Sequence, residues 1–307
     1  MSTSRVIKKR IRSTKNIKQI TKAMQAVSAV KMRKSEEVAL KARPYAYAAL
    51  EILKNVTQGV GEHASYSPLL DAREVKKTLL VVVTSDKGLA GSFNTNVLRA
   101  AERFIKKSTV PIEIIAVGKK GRDFFARRES FISREFLGIG DSASIEETQP
   151  IAHEVKDSFT STTYDEVYII HTNFISALKQ EVVLRKLLPF DEKSLEEVVK
   201  GIKPLQGKYA GAEGKASSAS VEYLFEPSPE KLLHQLLSAL LDVEVYHAIL
   251  EANASEHSSR MVAMKNASEN AGELIDSLTI LYNKSRQAQI TKELTEITAG
   301  TEALAVN

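Results

Sequence analysis

Residues 78–92 read TLLVVVTSDKGLAGS, and this stretch decides the fold of the middle of the chain. Its aliphatic, largely β-branched run is far too short to span a membrane. It shows no polar alternation either, which predicts a strand covered on both faces, as in a parallel sheet. The glycine-bearing turn at 86–92 predicts a change of direction into a helix at about 94–107. A second apolar run, IEIIAV at 112–117, a turn at Gly118 and a short helix near 119–127 repeat the unit, and a helix at 144–161 and a strand at 166–171 continue it. Alternating strands and helices imply right-handed crossovers and a mostly parallel sheet, so the centre reads as a Rossmann-like α/β domain. Edge strands are expected at 182–188 and 220–226, with a loop over the glycine-rich residues 206–219, QGKYAGAEGKASSA.

Outward from this core, both ends of the chain read as long helices. Residues 4–55 hold no glycine and one proline, Pro44, which is expected to bend or interrupt the helix near Arg43. Ile17, Ile20, Met24 and Val27, followed by Lys31, are spaced 3 and 4 apart and predict a coiled-coil seam. After Pro227 and Pro229 no proline remains, and Met261, Met264, Ala267, Ala271, Leu274, Leu278, Leu281, Ser285 and Ala288 continue the same steps. Neither stripe can be buried by its own helix, so an antiparallel coiled coil of the two ends is expected, with small residues allowing close approach. The expected division is 1–57 and 227–307 for the coiled coil and 58–226 for the α/β domain.

The chain has 307 residues, 43% of them hydrophobic, and no cysteine, which excludes disulfides, thiolate zinc sites and thiol chemistry. No apolar run approaches the length of a membrane span. The formal charge of +5 hides an asymmetry: residues 1–35 carry seven lysines, four arginines and no acid, leaving −6 for the remainder. A basic, acid-free start fits a transit peptide, a nucleic-acid arm or the positive surface of a shaft facing acidic partners. It has no aromatic residue before Tyr45, which weakens the nucleic-acid reading, and its stripe has a counterpart at the other end of the chain, which favours the shaft.

Chemistry-bearing motifs are missing from the sequence. The 86–92 turn resembles a phosphate cradle, but GxGxxG and GxxxxGK followed by Ser or Thr do not occur, and the turn is read as structural. The six histidines form no HExxH and no serine sits in GxSxG. Adjacent acid pairs such as Glu196-Glu197 diverge on a helix and read as solvated surface. No catalytic, cofactor or metal residues are assigned.

Three stretches carry a resemblance: RIRSTKNIKQITKAMQAVSAVKMRKS at 10–35, RMVAMKNASENA at 260–271 and LYNKSRQAQITKELTEITAG at 281–300 resemble the gamma subunits of F-type ATP synthases, in that order and across the whole chain. A match beginning so close to Met1 resembles the bacterial form rather than one preceded by a transit peptide. The resemblance implies a non-enzymatic rotor without cofactors. Its terminal helices would form the central shaft inside a ring of alpha and beta subunits, and its globular domain would stand against epsilon and the membrane c-ring. Proton or sodium flow would turn it and drive ATP synthesis in beta. It further implies a peripheral place on the cytoplasmic face of a bacterial membrane, reached only through the c-ring, with no nucleic-acid partner. By motif, Lys22, Met24, Lys31 and Arg33 would face beta, as would Arg286, Gln287, Thr291 and Glu293, while Phe225 and Glu226 would touch the c-ring. Ala90 stands where the family often has cysteine, and the cysteine-bearing insertion of chloroplast forms is missing. From the residues alone, a nucleotide- or nucleic-acid-binding α/β protein with helical dimerisation arms stays open.

Overall fold

The computed structural model describes the backbone of residues 2–60, 67–128, 130–140, 143–190 and 229–305, and side chains over 4–38, 67–128, 130–140, 143–190 and 233–301. The expected strand at 220–226, the loop at 206–219 and the candidate residues Phe225 and Glu226 lie outside the described residues. Contacts divide the chain into two units: residues 29–260, and residues 1–28 together with 261–307.

The first unit holds a five-stranded sheet of β1 (Thr78–Val83), β2 (Ile112–Val117), β3 (Ile132–Phe136), β4 (Glu166–Ser176) and β5 (Lys179–Leu188). The strand order is β3-β2-β1-β4-β5. Only the β4–β5 pair is antiparallel, and the other pairings are parallel. Helices α2 (Phe93–Lys107), α3 (Lys119–Ala126) and α4 (Ile145–Thr160) connect the strands. The start of α4 is fixed by a capping box in which Ser144 Oγ accepts the Glu147 amide while the Glu147 carboxylate accepts the Ser144 amide.

Every residue of β1 is buried, as an unalternating run requires. Leu79, Val81 and Val83 join α4 residues Ile151, Val155 and Phe159 and the start of the C-terminal helix at Leu237, Leu240 and Leu241. On the opposite face Leu80 and Val82 join Val97, Leu98 and Ala101 of α2 and Phe125 of α3. Each such side chain contributes roughly 1.5–3 kcal/mol by leaving water. Strand β3 was not expected. Its sequence, ISREF, carries two charges in five residues and lies at the sheet edge, so it has neither an apolar run nor full burial to announce it.

The second unit pairs the outer part of α1 (Ser2–Val60) with that of α5 (Pro229–Ala305). Helix α1 continues through Pro44, so of the expected bend or interruption the interruption does not occur. A proline deletes one i→i−4 hydrogen bond, and the bonds on either side can carry the helix across the gap.

On α1 the seam is not the one the apolar pattern suggests, while on α5 Met264, Ala271, Leu278 and Ser285 of the expected stripe lie in it. Ile17, Ile20 and Val27 are 51%, 59% and 54% exposed, while Ile7, Thr14, Thr21 and Ser28, spaced seven apart, are buried. On α5 Met264, Ser268 and Ala271 are buried, and Ile275, Leu278, Tyr282, Ser285 and Gln289 are half-buried in the same 4,3 rhythm. Leu274, Leu281 and Ala288, expected inside, are exposed. Small and hydroxyl-bearing residues let the helices approach closely, and the threonines bring no unmet polar group with them. Thr14 Oγ1 donates to the Arg10 carbonyl at 3.0 Å and Thr21 Oγ1 to that of Ile17 at 3.0 Å.

Candidate functional site

An α/β sheet offers a ligand crevice at the carboxyl ends of its strands, where a helix N-terminus can hold an anion. Here the chain fills that place itself. The first three amides of α3 are all taken by the end of β1 and the turn after it. Lys119 N–H donates to Asp86 Oδ1 at 2.9 Å, Lys120 N–H to the Ser85 carbonyl at 3.1 Å and Gly121 N–H to Thr84 Oγ1 at 2.8 Å. The second Asp86 oxygen accepts the Gly138 amide at 2.8 Å. A carboxylate of the chain thus occupies the position a phosphate would need. The approach is close enough that Gly118, at φ +91°, could not carry a Cβ, which would come 2.2 Å from the Thr84 carbonyl oxygen.

The 86–92 turn is held equally firmly. Asn94 Oδ1 accepts the Ser85 amide, Ser85 Oγ donates to the Lys87 carbonyl, and Arg260 donates through Nε and Nη2 to the Gly88 carbonyl. Ala90 is buried in it. Among the described residues no cluster of histidine and carboxylate side chains could hold a metal ion.

The buried titratable residues gather instead where α5 crosses β4 and β5. His171 Nε2 lies 3.1 Å from Glu251 Oε2, His247 Nδ1 lies 3.3 Å from Oε1, and Arg185 Nη2 lies 3.9 Å from Oε2. A carboxylate only accepts, so His171 Nε2 is the donor. Burial pushes the Glu251 carboxyl up, but His247, the His171 hydrogen bond and Arg185 outweigh it and hold it at about 2. Burial also pulls His171 below its ordinary value. The site is an ion pair with imidazole support, and a hydrogen-bonding imidazole and a guanidinium already serve the carboxylate. Sequence reading missed it. The available signal was Glu251, Ser255, Ser258 and Ser259 on one face of a helix whose other sides from Leu240 to Ala254 are apolar apart from Asp242, Tyr246 and Asn253.

The residues expected to meet partners lie elsewhere. Lys22, Arg286, Gln287, Thr291 and Glu293 are exposed on the paired helices and Met24 is half-buried there. Glu293 Oε1 accepts from Gln289 Nε2 at 3.0 Å, which fixes it along the helix. Gly272 faces the Lys18 ammonium, whose nitrogen would lie 2.9 Å from a Cβ at 272. From that crossing, Lys22 is four residues away on one side and Arg286 fourteen on the other, so the two groups stand about 18 residues, or roughly 27 Å, apart. They stand at two levels of the paired helices rather than at one place. Lys31 is half-buried and Arg33 exposed, and both fall in the α/β unit's residue set. Ile280, Ile290, Leu294 and Ile297 add exposed apolar side chains to α5. No helix among the described residues is long and apolar enough to cross a membrane.

Comparison with known proteins bears on this surface. The ATP synthase family profile matches residues 3–304. The chain is 43% identical to the ATP synthase gamma chain of Roseiflexus castenholzii, over 99% of both chains. It is 40% identical to that of Pelotomaculum thermopropionicum, over 99% of this chain and all of the other. Among solved structures it resembles a chain of the Tetrahymena thermophila mitochondrial ATP synthase central stalk and c-ring, with a TM-score of 0.58 and 27% identity, over 81% of this chain and 99% of that one.

Proposed function

The chain belongs to the ATP synthase gamma-chain family, and from that premise we propose that its two contact levels couple rotation to catalysis. It is a central-stalk subunit of an F-type ATP synthase and is itself non-catalytic, the chemistry lying in the beta subunits. The paired helices, residues 1–57 and 227–307, act as the shaft within the alpha and beta ring, and residues 58–226 act as the foot against epsilon and the c-ring. Ion-driven turning of the c-ring passes through the foot to the shaft, whose uneven surface forces the beta subunits through their conformations in turn.

The observation that carries this reading is the inversion of polarity on the paired helices. Apolar side chains stay in water there while hydroxyl-bearing residues are buried, as a shaft surrounded by partners requires. Lys22 and Met24 form one contact level with beta, continued by Lys31 and Arg33, and Arg286, Gln287, Thr291 and Glu293 form another. Phe225 and Glu226 are assigned to the c-ring by motif alone. The place of action is the cytoplasmic face of a bacterial membrane, reached through the c-ring. The filled crevice at Asp86 speaks against the reading as a nucleotide-binding protein.

Charge reversal tests the assignment. Lys22→Glu or Arg286→Glu in the reconstituted complex should lower ATP-driven ion pumping relative to ATP hydrolysis, while the stability of the chain stays within about 0.5 kcal/mol of the parent, as for other exposed positions. Normal pumping in both variants would remove these residues from the coupling surface and leave the family membership untouched.

A further inference from the structure

Torque that enters the α/β unit and leaves along α5 must cross from the sheet to the helix, and the helix must not turn in its bed. Between Leu240 and Ala254 the bed is largely apolar: Leu240, Leu241, Val245, Ala248, Ile249, Leu250 and Ala252 are all buried. Such contacts hold a helix in place but define its rotation about its own axis poorly, because the hydrophobic effect has no direction. Alanines at 248, 252 and 254 also offer only low ridges.

One face of α5 carries most of its polar contacts, although Asn253 Nδ2 also donates to the Gly140 carbonyl at 3.1 Å from another side. Glu251, Ser255, Ser258 and Ser259 follow at helical spacing and meet the β4–β5 hairpin. Ser255 Oγ donates to the Thr172 carbonyl at 3.2 Å and Ser258 Oγ to the Ala177 carbonyl at 2.5 Å. Gln180 Nε2 donates to Ser258 Oγ at 3.2 Å, and Ser259 Oγ donates to Gln180 Oε1 at 3.2 Å. Glu251 takes up His171 and Arg185, one from each strand of the hairpin. Two of the acceptors are backbone carbonyls of the hairpin, which cannot swing away as a side chain can. Hydrogen bonds weaken steeply off axis, and buried ones are costly to leave unmade. Turning α5 in place would therefore break this whole set together.

We propose that Glu251, Ser255, Ser258 and Ser259 are positioning residues that form a torsional clamp, fixing the rotational setting of α5 on the β4–β5 hairpin so that torque is delivered along the helix. The clamp rests on the rotor reading above. A buried polar set used for register rather than for net stability fits the known economics of such groups, since apolar replacements often stabilise as well.

The test uses the assembled complex with its alpha and beta ring immobilised and a bead on the hairpin. Leu178, 85% exposed at the hairpin tip of a chain without cysteine, offers the attachment point as Leu178→Cys. The angular variance of the bead during a catalytic pause then reads the compliance between hairpin and shaft. The Ser255→Ala, Ser258→Ala pair should raise that variance about two-fold or more, given the angular steepness of the bonds removed. Glu251→Gln should raise it further, and unloaded ATP hydrolysis should match the parent. Ser258→Thr, which keeps the hydroxyl, should return the parent variance, and Glu269→Gln on the exposed face should leave it unchanged. A merely structural role would lower the yield of assembled complex while leaving the variance of the assembled molecules at the parent value, and that result overturns the clamp. Should Glu251→Gln fail to assemble, the serine variants decide by themselves. A parent chain that does not turn at all would instead overturn the rotor reading, and the clamp with it.

Discussion

In the α/β unit the five residues Leu79 to Val83 are at most 3% exposed, whereas in the paired helices Ile17, Ile20, Val27, Ile280 and Ile297 keep between 51% and 71% of their surface in water. The same residue types serve opposite ends. In the sheet they supply the stability of the unit; on the helices they stay in water, and the seam is given to Thr14, Thr21, Ser28, Ser268 and Ala271. A protein that must slide past its neighbours needs a firm body and a narrow shaft. Bulky residues in the seam would hold the two helices further apart.

The comparison can be broken most directly by truncation. Phe159→Ala in the fully buried core should cost about 3–5 kcal/mol in chemical denaturation of the isolated chain. Ile20→Ser on the shaft should stay within about 0.5 kcal/mol, as an exposed position does. Similar losses for the two would mean that Ile20 is packed after all.

Acid should separate the units next. Glu251 is held at about 2 in the folded chain against an ordinary 4.5, and His171 is held below its ordinary 6.5 by burial. Both groups bind protons more readily when the chain is unfolded. Their contribution is therefore complete above about 6.5, declines as pH falls, and its carboxylate share is lost between 4.5 and 2. Denaturation midpoints measured from pH 7 to pH 3 should fall in the parent and fall less steeply in Glu251→Gln. An unchanged slope would show that the cluster is not what acid attacks.

A smaller effect sharpens the account of the seam. Thr21→Leu adds bulk between helices that approach closely, and should cost about 1–3 kcal/mol by helix-signal melting, although leucine is the better coiled-coil residue by pattern. A stabilised variant would restore the apolar-stripe reading. Smallest is Gly272→Ala, where the added methyl meets only the movable end of Lys18. Helix propensity should then prevail, with a gain of about 0.5–1 kcal/mol.

Much of this was legible in the residues. The unbroken run TLLVVV and the run IEIIAV pointed to two central parallel strands, because burial on both faces, complete in the first and from Ile114 onward in the second, leaves no room for polar alternation. Long proline-poor, glycine-poor ends fixed two helices, and three long motifs pointed to the family. Edge strand β3 was not legible, since a half-exposed strand with Arg134 and Glu135 at its centre looks like a loop. The residues proposed to face beta were named by motif, and only the crossing of Lys18 with Gly272 placed them at two levels of the paired helices.

What the sequence settled by itself was local: which stretches are strand or helix, which chemistry is excluded and where the positive charge lies. Those properties follow from side-chain types and spacing along one element. Tertiary structure alone decided which of two stripes on α1 is the seam, since the apolar stripe has the regular 3,4 spacing and yet the heptad set of Ile7, Thr14, Thr21 and Ser28 is the one buried. It alone filled the crevice with Asp86 and brought His171, Arg185 and Glu251 together from three elements. The pairing of groups 66 and 80 residues apart depends on how the sheet and α5 meet, a relation that no local spacing encodes.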